Sequence, residues 1–249
     1  MRFDGKVLFT TGGGSGIAAA VARQFSEQGG KVAVVDMDHG MAKEVASGLA
    51  GALALGCDVA DEDSVARAVA GTVEEFGRID CVFNAAGHAQ FGPVTDWLLE
   101  DFQRMLGVHT GGTFLVCKHT IPHLLVQGGA IVNVASVAAI EAQPFNAPYG
   151  AAKGAILSFS RQLARELAPS VRVNTVLPGR IKTGMTIPLY IERGGGSYDK
   201  GAELAAQFNV LHRVGEAEEI AGPVCFLLSE EASFVTGTGL VVDGGETAI

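Results

Sequence analysis

A chain of 249 residues is long enough to bury one sizeable core, and a hydrophobic content of 48% argues against disorder. A formal net charge of −9 disfavours nucleic acid or an anionic membrane as a general partner. No unbroken apolar run approaches the roughly 20 residues needed to span a bilayer. The four cysteines, Cys57, Cys81, Cys117 and Cys225, are dispersed without metal-ligand spacing, so no metal site is expected and buried free thiols are. Charges within the first six residues interrupt any signal-peptide core, and the expected location is cytoplasmic.

In chain order, β-branched runs predict strands at 6–11, 31–36, 52–57, 79–84, 129–135, 171–177 and 239–243. Between them, helical spacing predicts helices near 16–28, 40–50, 62–76, 99–127, 148–168 and 216–229. In the third, Asp61 is a good cap and Val65, Val69, Val73 and Phe76 recur on one face. Runs such as Ala130 to Val134 are mostly apolar and β-branched, as strands covered on both faces should be. The alternation predicts an α/β chain: one doubly wound domain over 1–249, built on a mostly parallel sheet of about seven strands with helices on both faces. The segment 185–212 breaks the rhythm with Pro188, Tyr190 and Gly194, Gly195 and Gly196. It reads as a glycine-hinged lid over a substrate cleft, or as a plain surface excursion.

The first strand runs into Thr11-Gly12-Gly13-Gly14-Ser15-Gly16-Ile17-Ala18 and then a helix. Glycines here let backbone N–H groups approach a pyrophosphate, and the helix N-terminus adds partial positive charge. The second strand ends at Asp36, 20 residues after Gly16, where a carboxylate accepts from the adenosine ribose hydroxyls of a dinucleotide. An acid there repels the 2′-phosphate of NADP, and Ser15, Met37 and Asp38 supply no base to hold it. The pattern predicts NAD as cofactor. The competing reading of Asp36 is a helix cap.

Tyr149 and Lys153 are four apart, hence one turn apart on a single helical face behind Pro148. A phenol with a pKa of about 10 is a poor base, and a nearby ammonium stabilises its phenolate. Ser136 closes a strand 13 residues earlier, at the sheet edge where ligands bind in such folds. The three together predict acid/base chemistry on an alcohol or carbonyl.

With these residues in place, the chain resembles the short-chain dehydrogenase/reductase family over nearly its whole length. The glycine turn matches Thr11 to Ala18. An adenine contact is similar to Asp58-Val59, and a strand-end motif to Asn84-Ala85-Ala86-Gly87. Ser136, Tyr149 and Lys153 match the catalytic set. Asn174 through Pro178-Gly179, with Ile181 and Thr183, resembles the nicotinamide end, and Thr236-Gly237 with Val242 to Gly245 resembles the closing motif. The resemblance implies an NAD(P)-dependent oxidoreductase with tyrosine as acid/base. Lysine would hold the nicotinamide ribose. It also implies homotetramers that pair helices such as 99–127 and 148–168.

Three departures stand out. Ala18 replaces a packing glycine and Ala85 an asparagine, both tolerated changes. His109 stands where the family's long helix has an asparagine that orders a relay water, largely through its carbonyl. His109 either preserves that relay, joins it as a titrating imidazole, or simply packs. The resemblance draws a substrate pocket from His88, Gln90 and Phe91, from Val137, Gln143 and Phe145, and from Met185 and Tyr190 in the lid. No arginine in the first two groups clamps a carboxylate, and Arg180, Lys182 and Arg193 reach the cleft only if the lid carries them in. The expected substrate is a small uncharged secondary alcohol or ketone. Two rivals are an NADPH-dependent ketoreductase of acyl-carrier substrates and a non-catalytic NAD-binding sensor.

Overall fold

The computed structural model describes residues 1–248. Seven strands form one all-parallel sheet: β1 (Val7–Thr11), β2 (Lys31–Asp36), β3 (Leu53–Gly56), β4 (Cys81–Asn84), β5 (Gly129–Val134), β6 (Val171–Pro178) and β9 (Gly239–Val242), in the order β3-β2-β1-β4-β5-β6-β9. They coincide with the seven predicted runs to within two residues at either end. Two further strands, β7 (Ile181–Lys182) and β8 (Gly215–Glu216), pair with each other apart from the sheet. Two residues carry too little periodicity to be read from sequence.

Alternation along the strands sorts the core into two layers. Val32 and Val34 face one side with α1 (Gly16–Glu27), α2 (His39–Ser47) and α9 (Ala217–Leu228). Ala33 and Val35 face the other with α3 (Glu62–Phe76), α5 (Gly112–Gln127) and α6 (Ala147–Leu167). Burial on both faces explains the continuous apolar runs. Asp61 caps α3 as expected, accepting from the N–H groups of Asp63 and Ser64. All four cysteines are buried free thiols.

The predicted helix 99–127 is interrupted. It divides into α4 (Leu99–Leu106), a π turn over Gly107–Gly111, and α5. Such turns often mark functional positions. The segment 185–212 is mostly a packed helical hairpin, α7 (Ile187–Arg193) and α8 (Tyr198–Ala206). Gly195 and Gly196 take φ of +63° and +97° in its turn, so these glycines shape a tight connection. Tyr190 is 2% exposed and stands edge-on to Tyr198, with ring centroids 6.1 Å apart.

At the opposite edge of the sheet from the cleft, Asp80 fixes the start of β1. Its backbone N–H donates to the Val7 carbonyl at 3.0 Å, and its carboxylate accepts the Val7 N–H at 2.9 Å. Arg78 and Lys6 flank that buried carboxylate. Asp80→Ala would leave a buried N–H without a partner, and is expected to lower the unfolding free energy by about 2 kcal/mol in urea titrations.

Candidate active site

β1 and β4 are neighbours whose connections depart to opposite faces, and the crevice this opens holds a cleft of about 470 Å³. Its floor is the glycine turn. A Cβ at Gly12 would stand 3.0 Å from the Ala86 Cα, so the turn lies flush on the end of β4. Gly16 takes φ +53° as α1 begins, and the Ser15 hydroxyl makes no capping bond. The start of a 12-residue helix thus faces the cleft with uncommitted N–H groups, a cradle suited to a pyrophosphate.

Asp36 does not cap α2. Asp38 does, accepting from Gly40 and Met41 N–H groups at 2.8 and 3.2 Å. The two oxygens of Asp36 instead accept the N–H groups of Gly14 and Asp38, each at 3.0 Å. Its carboxylate is therefore held in one orientation at the cleft wall. A dinucleotide with free ribose hydroxyls fits this donor and acceptor set, and a 2′-phosphate would meet a fixed negative charge.

Most of the predicted residues meet here. Gly12, Ser15, Gly16, Ile17, Asp36, Met37, Asp58, Val59, Ala85, Ala86, Gly87, Pro178, Gly179, Ile181 and Thr183 line the cleft with His88, His109, Ser136, Tyr149 and Lys153. Two expected cofactor contacts do not. Gly14 stands behind the wall, holding Asp36. The Asn84 amide donates to Asn133 Oδ1 at 2.9 Å, and Asn133 donates to Ser160 Oγ at 2.8 Å. That buried ladder ties the end of β4 to α6, which carries Tyr149 and Lys153.

The expected substrate residues divide in the same way. His88 lines the cleft, and Phe91 comes within 6.4 Å of the Tyr149 ring, centroid to centroid. Val137 is buried, and Gln143 is turned to Asn146 and Glu246. Phe145 points to solvent at 63% exposure with φ +61°. Tyr190 belongs to the interior of the α7–α8 hairpin. None of these four reaches the cleft, because an apolar or amide side chain after a strand packs locally as readily as it lines a pocket. From the start of the lid, Met185 and Thr186 do line it, with Gly184 just before them. Sequence reasoning missed Arg104, Val108 and Met41. Arg104 in α4 and Val108 in the π turn are four apart, a spacing that could have flagged a shared face.

Burial sets the protonation of the centre. It pushes the Tyr149 phenol up to about 12, opposed by the neighbouring Ser136 hydroxyl. It brings the Lys153 ammonium down to about 7. Lys153 Nζ donates to the Val134 carbonyl at 2.8 Å and lies 5.5 Å from the Tyr149 ring centroid. His109 is 1% exposed, and burial with the Lys153 charge lowers it to about 3. Of the three readings of His109, burial and the Lys153 charge favour the neutral ring over a titrating one. His88 is also lowered, by burial and then by the Arg104 and Lys153 charges.

A family profile described as enoyl-(acyl carrier protein) reductase matches residues 12–247. The meso-2,3-butanediol dehydrogenase of Serratia marcescens is 37% identical over 254 residues, covering 100% of this chain and 97% of that protein. The chain belongs to the short-chain dehydrogenase/reductase family. Among solved members, levodione reductase superposes with a TM-score of 0.95 at 34% identity, covering 99% of each chain. An NAD+-bound xylitol dehydrogenase superposes with a TM-score of 0.92 at 34% identity, covering 98% of this chain and all of the other.

The lowered Lys153 has a consequence for stability. Below about pH 7 the folded protein must hold a buried ammonium; between there and 10.5, the ordinary lysine value, the unfolded chain keeps a proton that the fold has shed. The Lys153 contribution to stability thus rises with pH across that window. Lys153→Met is expected to raise the melting temperature most at pH 6, with the gain shrinking towards pH 10 in thermal scans.

Proposed function

We propose that the protein is an NAD-dependent oxidoreductase of small secondary alcohols and the corresponding ketones. The observation that carries this reading is the convergence of Ser136, Tyr149 and Lys153 on one end of a cleft whose other end is bounded by the fixed Asp36 carboxylate. When bound, NAD supplies the hydride acceptor and a positively charged ring. Gly12, Gly16 and the α1 N-terminus would hold its phosphates, Asp36 its adenosine ribose, and Asp58-Val59 its adenine. Ser136 steadies the substrate oxygen while Tyr149, as phenolate, takes the hydroxyl proton. A phenol raised to about 12 needs positive charge to ionise near neutral pH, and Lys153, 5.5 Å from its ring, would supply part of it when protonated. In the reverse direction the same phenol returns the proton to the carbonyl oxygen.

Neutrality of the substrate is supported by the fate of the nearby cations. Arg180 pairs with the buried Glu246 at 3.1 Å and covers the Phe208 ring, and Lys182 pairs with Glu216. Arg104, on the α4 side of the cleft, is the remaining guanidinium lining it. The proposed subunit state is a homotetramer and the proposed location cytoplasmic, both on family grounds. No helix among the described residues is long and apolar enough to cross a membrane.

Tyr149→Phe should lower kcat by about a hundredfold or more, with NADH affinity nearly unchanged in fluorescence titration. Retained turnover would remove tyrosine from the acid/base role. Asp36→Ala should raise the KM for NAD about tenfold and admit NADP, followed as reduced-cofactor absorbance against neutral secondary alcohols. A preference for anionic alcohols in that panel would overturn the neutral-substrate reading and direct attention to Arg104.

A further inference from the structure

A buried carboxylate stands behind the cleft. Glu246, in the short turn that follows β9, has a side chain only 2% exposed, and burial pushes its carboxyl up. Its Oε1 is reached from two different segments, by the Arg180 guanidinium at 3.1 Å and by the Gln143 amide at 3.4 Å. Asn146, which immediately precedes α6, donates to Gln143 Oε1 at 3.0 Å. A chain of polar contacts therefore runs from the start of the helix bearing Tyr149, through Glu246, to Arg180. Gly179 and Ile181, on either side of Arg180, both line the cleft, as does Ser136 at the head of the loop that carries Gln143. Glu246 itself does not line it.

Packing holds the turn that carries Glu246 in place. Gly244 and Gly245, at φ +66° and +85°, fold the chain back after β9. A Cβ at Gly179 would stand 2.7 Å from the Asp243 Cβ, so this turn lies flush on the segment that leads to Arg180. The Asp243 carboxylate braces the turn from within, accepting the N–H groups of Gly245 and Thr247 at 2.8 and 2.7 Å. On the other side, the Arg180 guanidinium lies over the Phe208 ring, 4.1 Å from its centroid, and the Leu211 N–H donates to the Gly244 carbonyl at 3.1 Å. A buried ion pair returns little net stability, because both charges have given up their water. What it supplies is a fixed distance between the segments it joins.

We propose that Glu246 is a positioning residue. Through Arg180 and Gln143 its carboxylate sets segment 178–183 and the loop after Ser136 at one separation, holding two sides of the catalytic end of the cleft in register. This rests on the reading of that end as an alcohol-oxidising site. Glu246 acts on turnover without touching the reacting atoms. The opposite end of the cleft, built on Gly12, Gly16 and Asp36, shares none of these contacts and should be indifferent to them.

The test compares Glu246→Gln, Arg180→Met and the double variant with the wild type in oxidation of a neutral secondary alcohol by NAD. Rates are counted per NADH-binding site, so that misfolded molecules do not enter. Glu246→Gln keeps the side-chain shape and the contact with Gln143 but removes the charge that Arg180 pairs with. Each single variant should lower kcat per site about tenfold, as misplacement of reacting groups predicts, with NADH affinity within about threefold. The double variant should be no worse than the poorer single one, because both changes remove the same pair. Wild-type kcat per site in both single variants, or losses that multiply in the double variant, would overturn the proposal. If a single variant fails to bind NADH, Arg180→Lys decides in its place. It keeps the charge but not the planar fork, and should lower kcat per site at least about threefold; an unchanged value overturns the proposal. Hydrogen exchange of the NADH-bound protein supplies a readout that needs no turnover. Glu246→Gln should speed exchange over 137–146 and 179–183 and leave 12–18 as it was; unchanged exchange in the first two stretches overturns the proposal. Turnover surviving in Tyr149→Phe, or no alcohol oxidation by the wild type, would remove the reading of the reaction instead, while exchange would still decide whether Glu246 holds the two segments.

Discussion

A parallel sheet buried on both faces constrains everything else in this molecule. Each strand must be reached by a crossover, and each crossover helix must leave from the same edge. Where β1 sends its connection to one face and β4 to the other, no helix can cover the edge between them, and a crevice is unavoidable. The backbone groups left there have lost their ladder partners. The chain uses that opening as its cleft and equips it from both sides. From β1 come the glycine turn and the α1 N-terminus, and from β4 the Ala85–His88 turn.

The two sides are held by different means. On the β1 side the close approach is made by absence, since Gly12 admits the end of β4 where a methyl would meet the Ala86 backbone. On the β4 side it is made by buried polar contacts. Thr11 Oγ1 receives the N–H groups of Ala85 and Ala86, at 3.2 and 3.3 Å, and His109 Nε2 lies 2.8 Å from the His88 carbonyl beyond them. The Asn84–Asn133–Ser160 ladder continues the connection below, into α6. The end of β4 and the helix bearing Tyr149 and Lys153 are thus linked by hydrogen bonds that lie out of water, where a missing partner is costly.

How much of this was legible in the sequence depended on whether local chemistry or tertiary packing decided the matter. The sheet was legible because seven apolar runs obey one rule, burial on both faces. The glycine turn and Asp36 were legible because their spacing encodes a strand, a turn and a second strand of fixed length. Asp36 also drew an ambiguous reading as a cap, and only the positions of Gly14 and Asp38 resolve it: a cap sits one residue before its helix, and Asp38 holds that place. Tyr190 shows the converse. Its phenol and its position after a strand suggested a pocket wall, yet a tyrosine is equally suited to fill the interior of a helical hairpin, and α7 and α8 close around it. No periodicity in so short a segment separates those outcomes.

His109 marks the limit most sharply, because the residue type pointed one way and its surroundings another. Histidine in a catalytic neighbourhood suggests a proton carrier, and that expectation holds only where water or an acid can stabilise the charged ring. Here the ring is sealed beneath Gly87, next to the Lys153 ammonium, and both effects favour the neutral form. A neutral imidazole remains a rigid hydrogen-bonding group on a short stem. The same buried Lys153 that disfavours charge on His109 lies 5.5 Å from the Tyr149 ring.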